Sequence, residues 1–130
     1  MIIKLFKSLF FSLLVISSVT HSESKDGSLF IYAAEANKSL PMMVDDITTW
    51  KSVGYSDYTN ELIYSFNLKG TKAALNFSKD SIKSFSDKAT TKFCDSAETR
   101  ALLDQSRIKA NYFDTSGVFL FQIKINNTDC

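Results

Sequence analysis

The chain predicts an α+β domain, a single antiparallel sheet of four or five strands with helices packed on one side and one disulfide. Three observations carry that expectation. Thr59–Lys69 alternates strictly, with Leu62, Tyr64, Phe66 and Leu68 on one face and Glu61, Ser65 and Asn67 on the other, the period of a half-buried strand. Lys79–Phe93 instead keeps Ile82, Phe85, Ala89 and Phe93 within one narrow arc of a helical wheel. The only two cysteines, Cys94 and Cys130, follow an export leader, and an oxidising compartment favours their pairing.

The leader is residues 1–22. Lys4 and Lys7 precede the apolar run Leu9–Ile16, and small polar residues lead to a cleavage site placed after Ser22. The apolar run is too short to span a bilayer, and nothing later in the chain reaches that length, so no transmembrane segment is expected. No cysteine follows the run, which predicts a protein free in the periplasm or the medium without a lipid anchor. Cleavage removes two of the fifteen basic residues and none of the fourteen acidic ones, leaving a net charge of −1 and no electrostatic case for nucleic acid. Residues 23–130 are the length of one small domain, for which a disulfide supplements a modest core.

In order, Glu23–Gly27 reads as a polar, unstructured lead-in. Ser28–Lys38 reads as a helix, because Leu29, Tyr32, Ala33 and Ala36 fall at i, i+3, i+4 and i+7. Pro41 ends it, and Met42–Asp46 is a connection. Ile47–Val53 is β-rich and pairs with Thr59–Lys69 around a turn at Gly54–Tyr58. Lys72–Phe77 is ambiguous between an edge strand and a connection. Ser78 caps the Lys79–Phe93 helix, and Asp95 with Glu98 has capping-box spacing for a second, short helix whose inner face is Ala97, Ala101 and Leu102. Ile108–Phe113 and Val118–Asn126 form a closing hairpin around Asp114–Gly117, with Phe119, Phe121, Ile123 and Ile125 turned inward.

The chemistry of the chain points to binding. His21 is the single histidine and lies in the leader, so residues 23–130 contain no imidazole for a nucleophilic triad or a zinc site. No phosphate-loop, dinucleotide or calcium-loop spacing occurs, so no catalytic residue, metal or cofactor is expected. Asp45–Asp46, or Glu98 with Asp104, are the carboxylate pairs an acid–base enzyme would need, and helix capping accounts for them equally well. Lys79, Lys83, Lys88 and Lys92 flank the helical stripe, as an anion site or as solvated stems over apolar surface. Trp50, Tyr55 and Tyr58 lie in or near the first hairpin turn. They are candidate partner contacts, against the alternative that Trp50 belongs to the core with the tyrosines folded over it.

A cysteine opening a short amphipathic helix, Ile108–Asp114, an Asp/Gly turn, Val118–Ile125 and a closing cysteine together resemble the α/β pilotins of type II secretion. The likeness extends over Ile47–Cys130 in element order. It implies that a disulfide ties a helix to the end of the last strand, and that the partner is an envelope protein, as the pilotin family binds the C-terminal segment of an outer-membrane secretin. Family members carry a lipid anchor, which this chain is expected to lack, so what the resemblance implies is a non-enzymatic soluble accessory to secretion or surface assembly. Asn37–Leu68 also resembles small exported bacterial proteins. The alternative expectation is a periplasmic inhibitor or immunity protein that blocks a cell-wall enzyme or toxin. The accessory predicts a peptide-sized groove between helix and sheet, the inhibitor a protruding loop near Gly54–Thr59.

Overall fold

The computed structural model describes residues 25–130. The leader and its cleavage site lie outside the described residues. Helix α1 (Lys25–Asn37) is followed by strands β1 (Met42–Met43), β2 (Thr48–Ser56) and β3 (Glu61–Leu68). Helices α2 (Lys72–Leu75), α3 (Lys79–Asp95) and α4 (Ala97–Leu103) come next. Strands β4 (Arg107–Phe113) and β5 (Phe119–Ile125) and a final 3₁₀ turn (Asn127–Asp129) complete the chain. The sheet has five strands in the order β1-β2-β3-β4-β5.

The sheet is mixed, not wholly antiparallel. Strands β2/β3 and β4/β5 are antiparallel hairpins, but β3 and β4 run parallel, from Glu61 opposite Arg107 to Asn67 opposite Phe113. The 38 residues between Leu68 and Arg107 hold three helices. A connection of that length crosses a sheet face and returns to the starting end, which a tight turn cannot do.

Every helix that packs does so on one face. Leu29, Tyr32, Ala33 and Ala36 of α1 are buried as their spacing predicts, and so are Leu62, Tyr64, Phe66 and Leu68 of β3. Aromatic rings form the centre of this layer. Across the sheet, Trp50 stacks on Tyr64 (5.4 Å between centroids), Phe66 on Tyr112 (5.0 Å) and Tyr112 on Phe121 (5.0 Å). From the helical side, Phe93 meets Tyr64 and Phe85 meets Tyr112 edge-on, at 5.5 and 5.0 Å. Flat contacts along the sheet and edge contacts from above both satisfy the ring quadrupole.

Two bulges set the inward pattern. In β2 the register shifts between Trp50 and Ser52, so both Trp50 and Val53 are buried although they are three residues apart. In the last hairpin Tyr112 faces Phe121 while Phe113 faces Phe119, leaving Leu120 as the extra residue. Phe119 is thereby turned to the other face, edge-on to Phe113 and 48% exposed, and only Phe121, Ile123 and Ile125 of the expected inward set are buried.

Several boundaries differ from the sequence reading. Helix α1 begins at Lys25, within the segment expected to be unstructured. The Met42–Met43 pair is a short edge strand on β2. Strand β2 runs on to Ser56, so the turn is 57–60, with Asn60 at φ 54°. Lys72–Leu75 is one helical turn capped by the Thr71 side chain. Ser78 caps α3 as expected, accepting from the Ser81 N–H at 3.1 Å. Helix α4 starts after Ser96 rather than Asp95, and the Ser96 hydroxyl donates to Glu98 instead of capping the backbone. Its buried residues are Glu98, Thr99, Leu102 and Leu103, while Ala97 is exposed.

The turn after β4 is organised by Asp114, which is 2% exposed. Its Oδ1 accepts the N–H groups of Ser116 (2.8 Å) and Val118 (2.9 Å), and Oδ2 accepts that of Lys72 in α2 (2.8 Å). These bonds, that of Val118 foremost, hold the Asp114 carboxyl below the usual aspartate range. A depressed folded pKa contributes stability that is present above the unfolded value near 4 and is lost as pH falls through the folded value. Thermal melts between pH 5 and 2 are therefore expected to fall more steeply for the native protein than for Asp114→Asn. Parallel curves would mean that the charge on Asp114 contributes nothing.

Candidate partner-binding surfaces

The sequence-predicted residues separate in the structure. Trp50 is fully buried, its indole N–H donating to the Ser52 carbonyl at 3.1 Å and its ring on Tyr64. It belongs to the core and presents no accessible surface. Tyr55 is half-buried, its hydroxyl 2.6 Å from Asn60 Oδ1 and its ring edge-on to Phe30 at 5.0 Å. Tyr58 alone stands out, 96% exposed at the tip of the β2–β3 turn. That turn is short and held down, because the Asn60 side chain donates to the Gln105 carbonyl at 3.2 Å. It is no extended inhibitory loop.

Cys94 and Cys130 are joined, their Cα atoms 5.5 Å apart. Cys94 lies in the last turn of α3 rather than opening α4, so the bond fastens that seventeen-residue helix to the segment that follows β5. The bond matters to α3 because that helix is thinly anchored. Of its seventeen residues only Phe93 is buried, and Ile82, Phe85 and Ala89 are half-buried.

Beneath the N-terminal half of α3 lies a cleft of about 200 Å³ lined by Lys72, Asn76, Phe77, Ile82 and Leu120. Phe77 supports it by packing edge-on against Phe85 (6.1 Å) and Phe121 (5.1 Å). The cleft adjoins β5, which ends the sheet and pairs on its outer side with no strand among the described residues. An unpaired strand edge beside a cleft of mixed polar and apolar lining offers main-chain hydrogen bonds together with a side-chain pocket, the two elements of strand addition. The opposite edge is better guarded. Asn37 bonds both backbone groups of Val53 in β2, donating to its carbonyl at 2.7 Å and accepting its N–H at 3.0 Å.

A second cleft, of about 370 Å³, is lined by Thr59, Glu61, Arg107, Ile108, Lys109, Lys124 and Asn126. Neither cleft was visible in the sequence. The outward positions of β4 and β5 are cationic in the sequence, but only strand register says which of them become neighbours.

The nominated carboxylate pairs have structural roles. Asp45 Oδ1 accepts the N–H groups of Ile47 and Thr48 in the β1–β2 turn, and Glu98 is buried on Ser96 while Asp104 ends α4 at the surface. Of the four lysines on α3, Lys83 pairs with Asp87 one turn on at 3.1 Å, an exposed helix-surface contact. Among the described residues there is no cluster of three or more His, Cys, Asp or Glu side chains able to hold a metal, and no helix long and apolar enough to cross a membrane.

Comparison with known proteins bears on the fold. The pilotin EpsS of the type 2 secretion system of Vibrio vulnificus superposes with a TM-score of 0.64 at 14% identity, over 82% of this chain and 94% of EpsS. The fold is pilotin-like. The type II secretion pilotin AspS from Vibrio cholerae matches with a TM-score of 0.61 at 14% identity, covering 85% of this chain and 99% of AspS. A Pseudomonas aeruginosa protein taken to be secreted matches at 0.66 and 13% identity, over 82% and 96%. No protein-family model and no curated protein matches the sequence. The resemblance read from the C-terminal disulfide module thus extends to the whole pilotin-like architecture.

Proposed function

We propose that this protein is exported and acts as a non-enzymatic, pilotin-like accessory to secretion or surface assembly, binding another protein of the cell envelope. The observation that carries the reading is the cleft between α3 and the free edge of β5, where Phe77, Ile82 and Leu120 lie beside Lys72 and Asn76, set in a fold that nearly spans two secretion pilotins. Partner chain would extend along β5 and place an apolar side chain against Phe77, Ile82 and Leu120. Fold likeness by itself does not transfer function, so the groove has to be tested directly. Tyr58 is a proposed second contact, since an exposed aromatic at a turn tip can anchor a partner at little cost in order.

A photocrosslinking residue at Leu120, with one at Lys51 as control, would be presented to cell envelopes in the oxidised protein. A secretion component is expected to crosslink at position 120 and not at 51. Ile82→Asp is expected to reduce that capture at least tenfold while the circular dichroism and melting of the protein stay close to native, because Ile82 is only half-buried. Undiminished capture by a folded Ile82→Asp protein would exclude the α3–β5 cleft. Capture of a hydrolase or a toxin in place of a secretion component would replace the accessory reading with the inhibitor reading.

A further inference from the structure

The 370 Å³ cleft carries an unbalanced charge arrangement on the sheet face that the helices leave uncovered. Glu61 and Arg107 face each other across β3 and β4, and Lys109 and Lys124 across β4 and β5. Glu61 is the one carboxylate lining the cleft, and it is committed. It is 8% exposed and bonded to Lys109 at 3.2 Å. Burial acts to raise its pKa, but the Thr59 side chain, then Lys109 and the nearby charge of Arg107, together outweigh burial, so the carboxyl is held below its usual value.

Two cations remain. One Nη of Arg107, which lines the cleft, donates to the Thr59 carbonyl, and the guanidinium has further N–H donors beyond that bond. Lys124 has no ion-pair partner among the described residues and stands directly across from Lys109, a like-charge juxtaposition that costs stability in a sheet. Residues 25–130 hold thirteen basic and thirteen acidic side chains, so this local excess of two positive charges sits on a domain with no overall bias.

We propose that this cleft binds the carboxylate groups of an acidic peptide segment. An incoming carboxylate relieves the Lys109–Lys124 repulsion and accepts a charge-assisted pair from the Arg107 fork. Glu61 is already paired with Lys109, which leaves Arg107 and Lys124 for the incoming group. Thr59, Ile108 and Asn126 line the remainder of the cleft, giving polar and apolar surface for the peptide beyond its acidic group. The site lies apart from the α3–β5 cleft and does not depend on it.

The test is an amide chemical-shift titration of the oxidised protein. The probes are a capped octapeptide of alternating Glu and Gly, its Gln-for-Glu counterpart, and inorganic phosphate. The Glu peptide is expected to shift Thr59, Arg107, Lys109, Lys124 and Asn126 saturably and to lose affinity as salt rises. The Gln peptide should bind roughly tenfold more weakly, and so should the Glu peptide to Lys124→Gln and to Arg107→Gln. Lys88→Gln, on the solvated flank of α3, should leave affinity unchanged. Lys124 is exposed, so that variant keeps the fold even if Arg107→Gln does not. The proposal is overturned if Lys124→Gln binds as tightly as the native protein, if shifts spread evenly over all lysine-rich surfaces, if no shifts occur, or if phosphate occupies the cleft and the Glu peptide does not.

Discussion

Replacing Cys94 and Cys130 by serine is expected to lower stability by about 4 kcal/mol, the loop-closure entropy for a bridge of this length. The separation is 36 residues. For a domain of roughly 100 residues that corresponds to a fall in melting temperature of about 15–30 °C. The loss should be spread unevenly. Helix α3 is buried only at Phe93, one residue from Cys94, and β5 is followed by a 3₁₀ turn in which Asn126 and Asp129 cap each other. Hydrogen exchange of the reduced or double-serine protein is therefore expected to accelerate first in the last turns of α3 and in residues 126–130, before β3 and β4 respond. Uniform acceleration would show that the bond acts on the unfolded chain alone, and an unchanged melting temperature would deny it any stabilising role.

Tyr64→Ala is the substitution expected to cost most within the core, about 3–5 kcal/mol for removing a large buried aromatic. Tyr64 is fully buried and joins both layers. Its ring packs with Trp50, Phe66 and Phe93, and its hydroxyl lies 2.6 Å from that of Tyr32 in α1. Tyr64→Phe keeps the ring and removes one buried hydrogen bond, for about 1 kcal/mol. Urea titration of the two variants separates ring from hydroxyl. Equal losses would mean that the hydroxyl pair, and not the packing, joins α1 to the sheet.

The same tyrosines give the protein an alkaline limit. Burial pushes the phenols of Tyr32, Tyr64 and Tyr112 well above the usual tyrosine value, with Asp45 adding to the effect at Tyr112. A raised folded pKa contributes stability that is complete below the unfolded value near 10 and is lost as pH rises toward the folded value. Unfolding is thus expected to set in above about pH 10, and Tyr112→Phe should weaken that pH dependence. An alkaline profile unchanged in Tyr112→Phe would remove Tyr112 from this account.

Local chemistry determined much of the architecture. The alternation of Leu62, Tyr64, Phe66 and Leu68, the i, i+3, i+4, i+7 set of α1, the Ser78 cap and the turn at Asp114–Gly117 all act within a few residues, so each is legible without knowing its neighbours. The cysteine pair was legible as well, because two thiols allow only one pairing within the chain. Tertiary structure decided the rest. Alternation is the same in parallel and antiparallel strands, so the sequence could not show that β4 lies parallel to β3. A bulge shifts the phase of every residue beyond it, which turned Phe119 outward and kept both Trp50 and Val53 inside. Trp50, Tyr55 and Tyr58 are close in sequence yet fully buried, half-buried and exposed. Glu61, Arg107, Lys109 and Lys124 come from three strands and become one cleft only through register. Sequence patterns record the direction each side chain takes from its own backbone; which distant side chains then meet is set by how the strands are ordered and aligned.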